Sequence, residues 1–455
     1  MAIKTNETFI IRDALLYMPD GSTAEGDCLV EDGKIAELGS VTGSASHDVD
    51  GSGLWLFPGA FDAHVHMREP GLTHKEDWDS GSRAAAAGGV TSAFDMPNTN
   101  PSTISPERLE EKYALIGQKA RINYGLFFGA NPENLQACLD ARDAVCALKI
   151  FMASSTGDLL VDKEEELDRI FAAYEGRISV HAESEERLLA RIAAYKGETD
   201  PAIHSMIRDP EAARLGVEMA ARLANRYGRR LHILHMSTDA EVSALRAGRA
   251  EAAAKNTGAR LTAEACPHHL FLNTTAYETW GNHVKMNPPL REEKDRAFMW
   301  EALRSGEVDM VATDHAPHSQ DEKAKPFPHA PSGVPGIQTM LPLMLDAAHK
   351  GWCTPTQVVE WLCHAPSRIY EVEDRGRLEV GFAADLVLID PTLERTITDQ
   401  EQHSRCGWSP YTGRTTTGWP VRTFVNGVEV FRREGAGAGD ILTDDATGQR
   451  ISFAP

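Results

Sequence analysis

Residues 61–71 read Phe61-Asp62-Ala63-His64-Val65-His66-Met67-Arg68-Glu69-Pro70-Gly71. An apolar start that ends at Pro-Gly describes a strand running into a turn. Alternate residues of a strand share a face, so His64, His66 and Arg68 point the same way. Two imidazoles one residue apart can grip one cation, and divalent zinc suits nitrogen donors. The same spacing also fits two hydrogen-bonded or surface histidines, so the motif alone leaves both readings open.

The rest of the chain decides between them. Seven further apolar, β-favouring segments follow, ending near Met96, Gly129, Met152, Ala182, Met236, Cys266 and Asp314. Helix-forming stretches fill most of the gaps, among them 79–87 (closed by Gly88-Gly89), 164–174 and 210–227. Eight βα repeats over about 300 residues predict an α/β fold, a TIM-type (β/α)8 barrel, whose chemistry sits where the strands end. The fifth segment ends on His181, the sixth on His235 and the eighth on Thr313-Asp314-His315. One histidine after an apolar strand is usually a satisfied core residue. Four histidines and an aspartate, all at carboxyl ends of predicted barrel strands, predict a metal centre. His232 has the opposite parity to His235 and is read as structural.

Lys149 lies inside Ala147-Leu148-Lys149-Ile150-Phe151-Met152, a poor place for an ammonium group. Burial lowers a lysine's pKa from its usual ~10.4. A neutral amine can add carbon dioxide to give a carbamate, whose two oxygens could bridge two metals. The other reading is a lysine snorkelling to solvent, and the sequence leaves the two open.

The chain has 455 residues, with 46 Lys+Arg against 67 Asp+Glu and a net charge of −21. That balance excludes nucleic acid and anionic membrane as partners, since both need clustered cations. No apolar run reaches the ~18 residues of a membrane span, and the start is polar rather than signal-like. Seven scattered cysteines give no disulfide framework. A cytoplasmic protein acting on a small molecule is expected.

Both ends read as short strands. Phe9-Ile10-Ile11 and Ala14-Leu15-Leu16-Tyr17 precede Asp20-Gly21, and Asp32-Gly33 separates Cys28-Leu29-Val30 from Lys34-Ile35-Ala36-Glu37-Leu38. Asp385-Leu386-Val387-Leu388-Ile389 is another strand, and Asn426-Gly427 joins Thr423-Phe424-Val425 to Val428-Glu429-Val430-Phe431. Asp-Gly and Asn-Gly are hairpin signals because both residues tolerate positive φ. The expected organisation is a composite β-sandwich from 1–55 and 371–455 around a barrel at 56–370. The Gly435-Ala436-Gly437-Ala438-Gly439-Asp440 tract lacks a third glycine and opens no helix, so it reads as a flexible tail rather than a dinucleotide loop.

The chain resembles the amidohydrolase superfamily, and within it the dihydroorotase branch of the longer bacterial kind. The resemblance rests on the 62–71 stretch, Met96-Pro97-Asn98-Thr99-Asn100-Pro101, Leu148-Lys149-Ile150-Phe151-Met152 and Ala312-Thr313-Asp314-His315-Ala316-Pro317-His318. It extends over almost the whole chain, including Gly381-Phe382-Ala383-Ala384-Asp385-Leu386-Val387. It implies one zinc on His64, His66 and Asp314 and another on His181 and His235, bridged by carboxylated Lys149 and a hydroxide. It also implies substrate contacts from Arg68, Asn98, Asn287, His318 and the backbone at Ser332-Gly333. Relatives often carry Phe-Gly at the last place, so Ser332 is a departure. The implied reaction is reversible hydrolysis of the cyclic amide of (S)-dihydroorotate to N-carbamoyl-L-aspartate in pyrimidine biosynthesis, with Asp314 as proton shuttle. A homodimer and association with aspartate transcarbamoylase, the preceding enzyme, come from the same resemblance.

Rival readings are a hydantoinase (dihydropyrimidinase) or allantoinase, whose motifs generally lack the arginine after His-x-His, and a silent scaffold that has lost ligands. Cys266-Pro267-His268-His269 looks like a metal site, yet the seventh strand usually gives this superfamily no zinc ligand, so it is read as structural or supporting. The 319–330 stretch fits either a mobile lid or a solvated loop. Glu183-Ser184-Glu185-Glu186-Arg187 reads as a solvated helix start.

Overall fold

The protein is described by a computed structural model covering residues 3–4, 7–154, 159–434 and 440–454. The glycine-rich tract 435–439 lies outside the described residues.

Eight parallel strands form one sheet in sequential order. They are β1 Ala60–Val65, β2 Val90–Asp95, β3 Asn123–Gly129, β4 Ala147–Phe151, β5 Arg177–His181, β6 Arg230–Met236, β7 Arg260–Ala265 and β8 Met310–Val311. A parallel bridge between Val65 and His315 joins the last strand's end to the first, and His66 N donates to His315 O at 2.7 Å. The sheet is therefore a nearly closed barrel. Every residue of β1, β2, β3 and β4 is buried, as expected of parallel strands covered by helices outside and side chains within.

Local sequence explains the helices that seat these strands. Helix Pro210–Tyr227 has the bounds its sequence predicts: Asp209 accepts from Ala212 N, Pro210 opens the first turn, and Gly228 closes it at φ 66°. A Cβ on Gly216 of this helix would stand 2.4 Å from Ala182 C and Glu183 N. Glycine is what lets the helix lie against the backbone just past β5.

The two ends of the chain meet in a separate nine-stranded sheet, built from five strands between Phe9 and Pro58 and four between Leu386 and Leu442. The two segments expected at 9–11 and 14–17 are one strand, Phe9–Tyr17, interrupted where Asp13 turns to φ 55°. Asp32-Gly33 and Asn426-Gly427 make their hairpins with both residues at positive φ. Phe9 stacks on Phe424 with ring centroids 5.0 Å apart, although their strands are three places apart in the sheet. Neighbouring strands are ~4.8 Å apart, so the sheet must fold over itself to bring those rings together. A bridge from Lys34 to Ala383 brings its far edge back toward the strand that begins at Leu386. The C-terminal segment also reaches the barrel: Trp408 Nε1 donates to His318 O at 2.8 Å.

Among the described residues no helix is long and apolar enough to cross a membrane.

Candidate metal centre

The carboxyl ends of six strands converge on a small cavity. Its walls include His64, His66, Lys149, His181, His235 and Asp314, the six positions singled out by sequence. Arg68, Asn98, Asn287, Ser332 and Gly333 line it as well. His318 stands behind them, fully buried, with Nε2 3.1 Å from Arg68 Nη2 and 3.0 Å from Ser332 O.

Three of these residues leave ordinary strand geometry. Arg68, His235 and Asp314 have φ of 62°, 41° and 49°, a region that non-glycine residues seldom enter. Such conformations persist where the surrounding structure over-determines them, often at functional sites. All three side chains line the cavity.

On one side of the cavity, His64 Nε2 and His66 Nε2 stand 3.3 and 3.0 Å from Asp314 Oδ1. The opposite ring nitrogens are already engaged. His64 Nδ1 lies 2.5 Å from Glu264 Oε1, and His66 Nδ1 lies 2.8 Å from Asn98 Oδ1. Each ring thus presents Nε2 to the shared carboxylate, and one donor atom from each of the three residues lies within 4.8 Å of the others. Burial alone would raise the Asp314 carboxyl, but His64 and His66 outweigh it and hold the group well below the usual range. Burial lowers His66 to about 4, so its ring is neutral and able to ligate.

On the other side, His181 Nδ1 faces His235 Nε2 at 2.9 Å. His181 Nε2 is held 2.7 Å from Glu183 Oε2, and buried His235 Nδ1 has no hydrogen-bond partner among the described residues. Lys149 is 1% exposed, with its amine 4.4 Å from the centre of the Phe151 ring. Burial pulls its pKa down to about 7, against the pull of Asp314 and Glu264. The snorkelling alternative is therefore closed: this amine does not reach solvent.

Sequence reasoning missed three supports. Glu264 accepts from His64 and from His235 N (3.2 Å), and its other oxygen lies 3.1 Å from His232 Nε2. Asp62 accepts from Thr313 N at 2.9 Å, which fixes the backbone beside Asp314. Glu183 was expected at a solvated helix start, and that expectation is corrected. The helix does begin at Glu185, but Glu183 is buried in an ion pair with Arg208, whose Nη2 also lies 3.2 Å from His181 Nε2. A signal existed in hindsight, since Glu183 follows a strand-end histidine with the same parity. The partner, Arg208, is distant in sequence and carries no motif.

The 319–330 stretch is largely exposed, as a solvated loop would be, but it is anchored at buried Lys323, Phe327 and Ala330. Ser319 and Glu322 form a capping box on the short helix Gln320–Lys323. Buried Lys323 donates to Lys285 O, Pro331 O and Gly333 O, each at 3.0 Å. A Cβ on Gly333, at φ 139°, would come within 2.4 Å of Ala316 O, so this wall of the cavity requires glycine.

A histidine pair beside an ionised carboxylate, and a second pair with facing nitrogens beside a buried amine, form a donor set that fits divalent metal. A cation satisfies several inward lone pairs at once, which no hydrogen bond among these groups does. Comparison with known proteins gives the same reading. The sequence profile described as "Amidohydrolase family" matches residues 55–430.

The chain belongs to the amidohydrolase family.

Among its relatives, a dihydroorotase of Halobacterium salinarum is 37% identical over 433 residues, covering 95% of this chain and 98% of that one. A dihydroorotase of Methanosarcina mazei is 35% identical, covering 94% of this chain and 95% of its own. Among solved structures, the L-hydantoinase (dihydropyrimidinase) from Arthrobacter aurescens superposes with a TM-score of 0.91 at 29% identity, covering 98% of this chain and 100% of that one. The expected barrel with a separate terminal sheet is thus shown, and this amidohydrolase is a metal-dependent cyclic amidohydrolase.

Proposed function

We propose that this amidohydrolase is a dihydroorotase, reversibly hydrolysing the ring amide of (S)-dihydroorotate to N-carbamoyl-L-aspartate in pyrimidine biosynthesis. Two zinc ions are assigned, one to His64, His66 and Asp314 and one to His181 and His235, with carboxylated Lys149 between them. The observation that carries the substrate assignment is Arg68. Its guanidinium is buried in the cavity wall and touches Pro317 O (3.2 Å) and His318. Among the described residues it has no carboxylate in ion-pair contact. Burial lowers its pKa only to about 10, so it remains charged at neutral pH. A buried cation with no carboxylate in contact favours a ligand that brings one, and a planar guanidinium suits a carboxylate. Dihydroorotate carries such a group beside its amide; hydantoin does not.

When bound, the metals supply the lowered water pKa and the polarised carbonyl that amide hydrolysis requires near pH 7. The chain's own groups do the remainder. Asp314, ionised and placed by Thr313, accepts the proton of the attacking water and returns it to the departing ring nitrogen. Arg68 holds the substrate carboxylate, so the scissile amide faces Asp314. Neutral His318, lowered to about 3 by burial and by the nearby Arg68, adds no competing charge. Asn98 and Asn287 line the same cavity.

Structural likeness to hydantoinases supports a second reading, ring opening of a substrate without the carboxylate. Dihydroorotate, hydantoin and allantoin assayed side by side on the zinc-loaded protein separate the two. Turnover of dihydroorotate is expected; cleavage confined to hydantoin or allantoin overturns the assignment.

A further inference from the structure

A second group of metal-binding side chains lies outside the six strand-end positions. Cys266 directly follows β7 and caps the short helix Pro267–Phe271. Cys266, His268 and His269 each bring a donor atom within 4.8 Å of the other two. All three are buried, at 0%, 1% and 2% exposure. His268 Nε2 and His269 Nδ1 have no hydrogen-bond partner among the described residues. A buried polar atom left unpaired is unfavourable, so two in adjacent rings call for a ligand.

The state of each donor is legible. His269 Nε2 lies 3.2 Å from Pro288 O, a carbonyl that can only accept. The ring hydrogen therefore sits on Nε2 and the lone pair on Nδ1, the unpartnered atom. Histidines that ligate metals are held this way, with the far nitrogen resting on a carbonyl or carboxylate. His268 stands edge to face against His269, with ring centroids 4.3 Å apart. Burial pushes the Cys266 thiol well above its ordinary pKa, and the carboxylates of Glu264 and Asp314 add to this. Without a cation it stays protonated, and a bound cation is what would ionise it.

We propose that Cys266, His268 and His269 form a third zinc site, separate from the cavity that holds the substrate. One thiolate and two imidazoles are a donor set that zinc favours, with the fourth tetrahedral position left to solvent. Zinc bonds of ~2.3 Å to sulfur and ~2.0 Å to nitrogen put tetrahedral donors ~3.5 Å apart, a spacing compatible with donors that lie within 4.8 Å of one another. Occupation releases the thiol proton to solvent, forms one zinc–sulfur and two zinc–nitrogen bonds, and changes no oxidation state.

Cobalt(II) is the probe, because a thiolate bound to it absorbs by charge transfer in the near ultraviolet. The full-length protein is stripped with a chelator and reloaded with cobalt(II) alone, with metal content and absorbance followed together. A third equivalent is expected to bind with the sulfur band and to release one proton. Cys266→Ser abolishes the band, and His269→Gln weakens the third equivalent at least tenfold while two ions remain. Should Cys266→Ser fail to fold, the His269→Gln titration decides. The proposal is overturned by a protein that shows no sulfur band at any loading, that shows it with two ions in total, or that keeps it after Cys266→Ser. The strand-end positions assigned to the cavity's metals offer only nitrogen and oxygen, so the sulfur signal is independent of that assignment.

Discussion

The two halves of the cavity differ in charge. The side formed by His64, His66 and Asp314 already contains its anion, and Glu264 and Asn98 hold the far nitrogens of both rings. The side formed by His181, His235 and Lys149 has two facing imidazoles and an amine, with no anion facing inward; Glu183 grips the far nitrogen of His181. A divalent cation is stable beside the first set as it stands. The second set has no negative charge of its own, and the carbamate proposed on Lys149 would supply it. This asymmetry is why a buried lysine with a pKa near 7 belongs where it is: at neutral pH much of it is uncharged and open to carbon dioxide.

Removing that amine is the severest test of the contrast. Lys149→Ala should lower kcat/KM on the order of a thousandfold, the scale of losing a preorganised electrostatic group. Metal analysis should show loss of metal with it, and retention of two ions would contradict the bridging role. Arg68→Met should instead spare metal content and raise KM for dihydroorotate roughly a hundredfold, the scale of a lost charged hydrogen-bonding partner. Equal loss of metal and activity would remove Arg68 from substrate binding.

Glu183→Gln probes how firmly the anion-poor side is held. A decrease of about tenfold in affinity for one of the two metals is expected, as for other groups that orient a ligating histidine. An unchanged metal titration would reduce Glu183 to an ion-pair partner of Arg208.

The smallest effect concerns the metal-free chain. Below pH 7 the Lys149 amine is charged in the folded and unfolded states alike, and its burial penalty is full. Between pH 7 and ~10.4 the unfolded chain holds a proton that the folded chain lacks, so stability rises with pH. Lys149→Met has no such penalty. Its melting temperature should exceed that of the metal-free parent by most at or below pH 7, with the gap closing toward ~10.4. A gap that does not vary with pH would mean the lysine is not buried as a titrating group.

Much of this was legible in residue order. Continuous apolar runs marked the eight strands, and Asp209-Pro210 with Gly228 marked both ends of a helix, because capping and burial act over a few residues. The lysine between Leu148 and Ile150 announced its own desolvation. What could not be read were the partners. His64 and Glu264 are joined although 200 residues apart in sequence, and Glu183 looked solvated because nothing near it in sequence reveals Arg208. Nor could residue order show that Arg68, His235 and Asp314 take positive φ at their strand ends.

Residue order by itself determined which donor groups terminate the strands and that the strands must close into a barrel, since both follow from local periodicity and from the need to bury apolar surface. Tertiary structure alone decided which nitrogen of each histidine faces inward, which carboxylate braces it, and that Arg68 stays charged with no carboxylate in contact. Those outcomes depend on desolvation and on contacts between residues far apart in the chain, and neither exists until the barrel has formed.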